Sequence, residues 1–260
     1  MCEEKKFAEQ LAKKAGNLLI QKFNQKHVIT YKGEINIVTE ADKMSEDLII
    51  NEIGKKFPDH GILSEESPFI AGSAKVRWII DPLDGTTNYA HGFPFFCVSI
   101  ALEIDGIISL GVIYDPLRDE MFSVLHNNGV YLNGHKLRVS SVFELQHSLL
   151  ATGFPYDIRN SSENNLDYFN AMALKAQAIR RAGAAALDLA YLAAGRLDGF
   201  WELKLMPWDT AAGFLMVEEA GGMVTEITGG KWSTNSPNIL ASNGLIHQQM
   251  IQVFKCIKNS

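Results

Sequence analysis

Two carboxylates three residues apart, Asp81 and Asp84, close an apolar run and make the strongest chemical suggestion in the chain. The run Val76 to Ile80, with Trp78 inside it, has the β-branched and aromatic content of a buried strand and is expected to stop at Asp81-Pro82. Pro82 fixes the backbone between the acids and Gly85 permits a sharp turn, so Asp81, the Leu83 carbonyl and Asp84 can converge on one point. Oxygen donors without a neighbouring Cys or His suit Mg²⁺ or Mn²⁺ better than zinc. The amides of Gly85, Thr86 and Thr87 can open a helix N-terminus toward an anion, so that a metal and a phosphate would meet here. Asp-Pro and Asp-Gly also cap turns in proteins that bind nothing, and a bare Asp-Pro-x-Asp-Gly leaves that reading open.

Other acids admit equally plain explanations when taken singly. Asp42 falls in the first turn of a helix, where the helix dipole favours a carboxylate. Glu65-Glu66 can be solvated loop acids, and Asp209 is well placed for an N-cap. Arg180-Arg181 could meet a phosphate or pair with internal acids. His91 is read as a surface or hydrogen-bonding residue, and Cys97 as a small buried residue with no nucleophilic role.

The string Trp78-Ile79-Ile80-Asp81-Pro82-Leu83-Asp84-Gly85-Thr86-Thr87-Asn88 closely resembles the signature of the inositol monophosphatase family of Mg²⁺-dependent, lithium-sensitive phosphatases. Val38-Thr39-Glu40-Ala41-Asp42 resembles the family's Val-Thr-x-x-Asp motif. Gly61 to Ser67 resembles its Gly-Glu-Glu-Ser loop, with Ser64 in place of Gly, and Trp208-Asp209-Thr210-Ala211-Ala212-Gly213 resembles its second signature. The likeness covers nearly the whole chain, with Asn36 where many relatives have Asp and Ala184 where many have Ser or Thr.

This resemblance implies a site and a reaction. One Mg²⁺ would be held by Glu65, Asp81 and the Leu83 carbonyl, a second by Asp81, Asp84 and Asp209, and a third more loosely near Glu65; Mn²⁺ could substitute, while Li⁺ or Ca²⁺ would inhibit. Asp42, Glu65, Asp81, Asp84 and Asp209 would otherwise repel one another in a shared cleft. A water activated by metal and oriented by Thr86, with Asp42 and Glu65, would attack phosphorus in line. Substrate contacts would come from Asp84, Gly85, Thr86, Ala185, Glu202 and Asp209, with Glu202 on the hydroxyls. The implied substrate is a small phosphate monoester, first myo-inositol 1-phosphate, hydrolysed to myo-inositol and phosphate. Fructose 1,6-bisphosphate, histidinol phosphate, NADP and 3′-phosphoadenosine phosphates are the alternatives, and an RNA- or ribosome-associated role is a third. The implied fold is a layered αβαβα sandwich of mixed α/β class, and the implied assembly a homodimer.

The elements that must position these residues can be read from periodicity. Phe7, Leu11, Ala15, Leu18, Leu19 and Phe23 mark one face of a helix from Glu3 to Asn24. A turn at Lys32-Gly33 leads to a second helix, about Ala41 to Phe57, with an apolar stripe of Met44, Leu48, Ile49 and Ile53. From Cys97 to Val139 apolar and polar residues alternate between turn signals at Asp105-Gly106, Asn127-Asn128-Gly129 and Asn133-Gly134, which predicts hairpins of a mostly antiparallel sheet. Helices are expected around Asn165 to Lys175, over the small residues Gly183 to Gly199, and from Pro207 to Ala220, with a short strand into Arg180 and another ending at Glu202. The chain reads as a single domain, 1–260, whose halves, about 1–145 and 146–260, share one cleft.

Composition narrows the partners. A formal net charge of -6 and the lack of a basic stripe argue against nucleic acid as the main partner. Three widely spaced cysteines fit a reducing cytoplasm, and neither a secretory leader nor a membrane span is evident.

Overall fold

The computed structural model describes residues 1–23, 25, 29–31, 37–72 and 75–258; Gly33 and Asn36 lie outside them. The first half of the chain contributes helix α1 (Cys2–Phe23), strands β1 (Ile29–Tyr31) and β2 (Ile37–Thr39), helix α2 (Glu40–Lys56), strands β3 (Gly61–Ser64) and β4 (Val76–Asp84), and the short helix α3 (Thr86–Ala90). Strands β5 (Cys97–Ile104), β6 (Ile107–Asp115), β7 (Glu120–Leu125), β8 (Gly129–Leu132) and β9 (His135–Lys136) follow. Strands β3 to β9 form one sheet in chain order, with β3 parallel to β4 and every later pair antiparallel. The expected hairpins are present, and Asp105, Gly106, Asn127, Gly129, Asn133 and Gly134 take the positive φ their turns require.

The second half adds β10 (Leu149–Thr152), α4 (Leu166–Ala173), β11 (Ala178–Arg180), α5 (Ala185–Ala193), β12 (Gly199–Leu203), α6 (Pro207–Glu219), β13 (Met223–Thr225), β14 (Asn238–Ser242) and α7 (His247–Lys258). Its five strands are ordered β11-β10-β12-β14-β13, with β10 parallel to both neighbours and β14 antiparallel to both of its own.

Three apolar clusters stack these parts into layers. Leu11 and Leu19 of α1 and Ile49 and Ile53 of α2 pack on Trp78, Ile80 and Ile100 of the large sheet. On its other face, Ile79, Ile113 and Phe122 share a core with Leu189 of α5, Met216 of α6, and Phe200 and Ile239 of the small sheet. Met172 of α4 and Phe254 of α7 cover the far side of that sheet over Leu150, Trp201 and Leu240. The order is therefore αβαβα, as the resemblance implied. Strand β4 is apolar without alternation because both of its faces are covered. No helix among the described residues is long and apolar enough to cross a membrane.

Several boundaries differ from the sequence reading. Strand β4 does not stop at Asp81-Pro82 but runs to Asp84: Asp81 pairs with Ser99 and Asp84 with Cys97, so Pro82 and Leu83 together face Val98. Pro82 has no N–H for the ladder, and the strand passes it by bulging. On α2, Met44 is 41% exposed, whereas Ser45 and Glu46 are buried. Polar residues occupy that face because they are needed beneath the site. Helix α4 is shorter than expected, and α5 spans only Ala185–Ala193, because Gly183 (φ 88°) and Gly195 (φ 69°) leave helical geometry outside it.

Candidate active site

A cavity of about 500 Å³ opens where β3, β4, β10 and β12 end, between the two halves of the chain. Nine of the ten sequence-derived site residues line it: Glu65 after β3; Asp81, Leu83, Asp84 and Gly85 on the bulged end of β4; Thr86 on α3; Ala185 on α5; Glu202 on β12; and Asp209 on α6. Asp42 stands one residue further back and reaches the cavity through Thr86, whose Oγ1 donates to Asp42 Oδ1 at 2.8 Å.

Backbone amides fix the carboxyl groups. Asp81 Oδ1 accepts from Leu83 N at 3.0 Å, Asp84 Oδ2 from Ala186 N at 2.8 Å, and Asp209 Oδ2 from Met206 N at 2.6 Å. Asp84 thus sits against the first turn of α5, whose amides and dipole favour its charge. Asp209 is the third residue of α6 rather than its N-cap, and bonds back to the amide of Met206. Asp42 repeats this arrangement on α2: its Oδ2 accepts from Thr39 N at 2.8 Å and Thr39 Oγ1 at 2.6 Å. Capping and the site use the same two acids. Gly85 turns the chain between β4 and α3 at φ 95°, where a Cβ would also meet Phe95 O at 2.9 Å.

Electrostatics distinguish this cavity from a solvated acidic patch. Burial, then repulsion from Glu65, Asp84 and Asp209, holds Asp81 far above the ordinary carboxylate range. Burial, then Asp84, does the same to Asp209. Asp84 is raised by burial to about 6, against the pull of the α5 amides, and Glu202 is raised to about 8 by burial, Asp188 and Asp84. Among the described residues, no Lys or Arg pairs with Asp81, Asp84 or Asp209, and no three acids are drawn into a ready chelating cluster. The carboxyl groups reach the cavity from the end of β4, from α6 and from the segment after β3. Oxygen-only donors that lack a protein cation fit a hard divalent ion.

Residues without a planned role fall into place. Cys97 is buried and its thiol is kept protonated by burial and by Asp84, so the inert reading stands. His91 is exposed and lines no part of the cavity. Asn88 Nδ2 ties α3 to the segment before α5 by donating to Phe95 O at 2.7 Å and Ala182 O at 2.8 Å.

Two residues were missed from sequence. Glu46 is buried, and accepts from Glu66 N at 3.0 Å and Ser67 Oγ at 2.6 Å, which anchors the loop carrying Glu65. Its signal was an acid four residues after Asp42, on the same helical face. Lys204 adopts φ 59° at the cavity wall, and its Nζ donates to Asp157 at 2.6 Å and Ser161 Oγ at 2.8 Å, which pins the loop after β10. Nothing in the local sequence marks that backbone conformation.

Residues 2–259 match the family model described as Inositol monophosphatase family. Nus factor SuhB of Escherichia coli (strain K12) is 42% identical over 247 residues, spanning 94% of this chain and 92% of that protein. Inositol-1-monophosphatase of Mesorhizobium japonicum is 41% identical over 249 residues, spanning 95% and 94%. The solved inositol monophosphatase of Anabaena is similar with a TM-score of 0.90 at 42% identity, covering 98% of this chain and 96% of that one.

Proposed function

Because the chain belongs to the inositol monophosphatase family, we propose that it hydrolyses a cyclic polyol phosphate monoester, first myo-inositol 1-phosphate, with Mg²⁺ held by Glu65, Asp81, the Leu83 carbonyl, Asp84 and Asp209. The carrying observation is the convergence of the buried Asp81, Asp84 and Asp209 carboxyl groups from separate segments on one cavity, none of the three paired with a Lys or Arg among the described residues. Bound divalent cations supply the charge that lets these acids ionise and that offsets the charge of the phosphoryl oxygens.

The chain's own groups do the rest. Thr86 donates its hydroxyl hydrogen bond to Asp42, which leaves its oxygen lone pairs available to accept from a water in the cavity. Glu65 offers a carboxylate to the same water, and the amides of Gly85 and Thr86 receive phosphate oxygens. Glu202 and Ala185 face the sugar portion. Gly153 makes room for Glu202: a Cβ there would lie 2.1 Å from Glu202 Oε1.

Two expectations follow for the cation site. Glu46→Ala leaves the Glu66 amide and the Ser67 hydroxyl unbonded and loosens the Glu65 loop, so the Mg²⁺ concentration for half-maximal turnover rises about 10- to 100-fold. An unchanged Mg²⁺ titration would leave Glu46 a purely structural anchor. The second concerns pH. In chelator, the folded protein binds protons on Asp84 up to about pH 6 and on Glu202 up to about pH 8, where the unfolded chain has already released them. Stability therefore falls as pH rises from about 4 to about 8. Mg²⁺ would compete with the proton on Asp84, so its shift of Tm grows as pH rises through about 6. An equal Mg²⁺ shift at both ends of the window would contradict the assignment.

The deciding assay is phosphate release from myo-inositol 1-phosphate and fructose 1,6-bisphosphate, each with Mg²⁺ and with chelator. Mg²⁺-dependent preference for the inositol ester supports the proposal, and equal or better turnover of the bisphosphate would move the substrate while keeping the mechanism. The name of the Escherichia coli relative favours a second reading, service as a Nus factor. Turnover of neither ester would bring that reading forward.

A further inference from the structure

The cavity holds one acid that neither the cation site nor the attack on phosphorus uses. Asp188, in the first turn of α5, is 3% exposed yet lines the cavity. Its carboxyl group has no hydrogen bond or ion pair among the described residues. It is not a cap: the α5 amide offered to a carboxylate, Ala186 N, bonds Asp84 instead. A largely buried acid that meets no protein partner and lines a cavity has its hydrogen-bonding capacity met by whatever fills that cavity.

Its surroundings define that partner. Asp188 and Glu202 line the same cavity, Asp188 comes first among the charged neighbours that push the Glu202 carboxyl up, and Glu202 is backed by Gly153. Arg181 at the rim is too far to pair with either. The pair presents acceptors to the cavity beside the small side chain of Ala185, which suits a ring bearing neighbouring O–H donors. We propose that Asp188 is a further specificity-determining residue, forming with Glu202 a two-carboxyl subsite for adjacent hydroxyl groups of a cyclic polyol. This rests on the phosphatase reading above and names how that site selects its substrate.

The test compares wild type and Asp188→Asn, with Mg²⁺, on myo-inositol 1-phosphate and on 4-nitrophenyl phosphate, which has no hydroxyl to offer. The variant is expected to lose about 10- to 100-fold in kcat/KM on the inositol ester, mainly through KM, the worth of one or two hydrogen bonds. On the aryl ester it stays close to wild type. Equal losses on both esters, or none on either, would overturn the subsite. Should the variant fail to fold, inositol 1-phosphates lacking single ring hydroxyls decide the matter on wild type: at least one deletion must lose a comparable factor, and uniform turnover overturns the proposal. Wild-type turnover of the aryl ester alone removes this subsite but leaves the phosphatase reading, whereas turnover of neither removes both.

Discussion

Asp84→Asn abolishes phosphate release, by about 1,000-fold or more, while the protein keeps its fold and gains thermal stability in chelator. Asn can retain the bond from Ala186 N, because that bond needs only one acceptor oxygen, which Oδ1 supplies. What disappears is the charge. Asp84 repels Asp81, Asp209, Glu202 and Asp188, so a neutral amide relieves a strain shared by four other acids. The same loss removes a cation ligand, and several kcal/mol of charge stabilisation corresponds to about 1,000-fold in rate. Steady-state turnover, Mg²⁺ calorimetry and Tm in chelator should move together: no turnover, weakened binding, raised Tm. Turnover within about tenfold of wild type would remove Asp84 from the cation site.

What could be read from the sequence depended on whether a residue's neighbours in the chain were also its neighbours in space. Asp81, Leu83 and Asp84 were legible together because one strand end carries all three. Their strand was legible too, since an apolar run without alternation predicts two covered faces. Its end was not: Pro82 reads as a stop, and only pairing with Ser99 and Cys97 shows that the ladder resumes beyond it. The αβαβα order came from resemblance, because nothing local says which face of a sheet a helix will cover.

Helix α2 shows the opposite limit. A stripe of Met44, Leu48, Ile49 and Ile53 fits helical spacing, yet the buried face is built on Ala41, Ser45, Ile49 and Ile53, with Asp42 and Glu46 beside them. Ser45 Oγ donates to Pro82 O at 2.8 Å, so polar residues under the site are held by backbone thirty-seven positions away. Asp188 was hidden likewise, as one acid in a helix of small residues whose significance comes from β12. Capping chemistry also masked function: Asp42 and Asp209 are placed as helix-start acids should be, and the same bonds that cap their helices aim them at the cavity.

Asp42→Asn separates those two roles. The wild-type carboxylate takes three donors, Thr39 N and Oγ1 on one oxygen and Thr86 Oγ1 on the other. Asn has one acceptor oxygen, and with it held by the two Thr39 donors, the amide NH₂ faces Thr86 and donates where it should accept. The Thr86 hydroxyl must then swing its proton to Leu83 O, 3.1 Å away, or into the cavity, and its lone pair is no longer offered to a water. We expect kcat to fall about 100- to 10,000-fold with KM little changed, the range for losing a positioned proton-transfer group. Thermal stability should change little. Asn keeps both Thr39 donors, and burial already raises the Asp42 pKa, so the charged form that is lost was disfavoured in place. Thr39→Ala is the control, since it removes a cap bond worth about 0.5–2 kcal/mol but leaves Thr86 donating to Asp42. Its turnover should stay within a few-fold of wild type while its Tm drops. If both variants lose stability and activity in parallel, Asp42 serves the helix alone. If Asp42→Asn loses rate at unchanged Tm, the carboxylate acts on the water through the threonine.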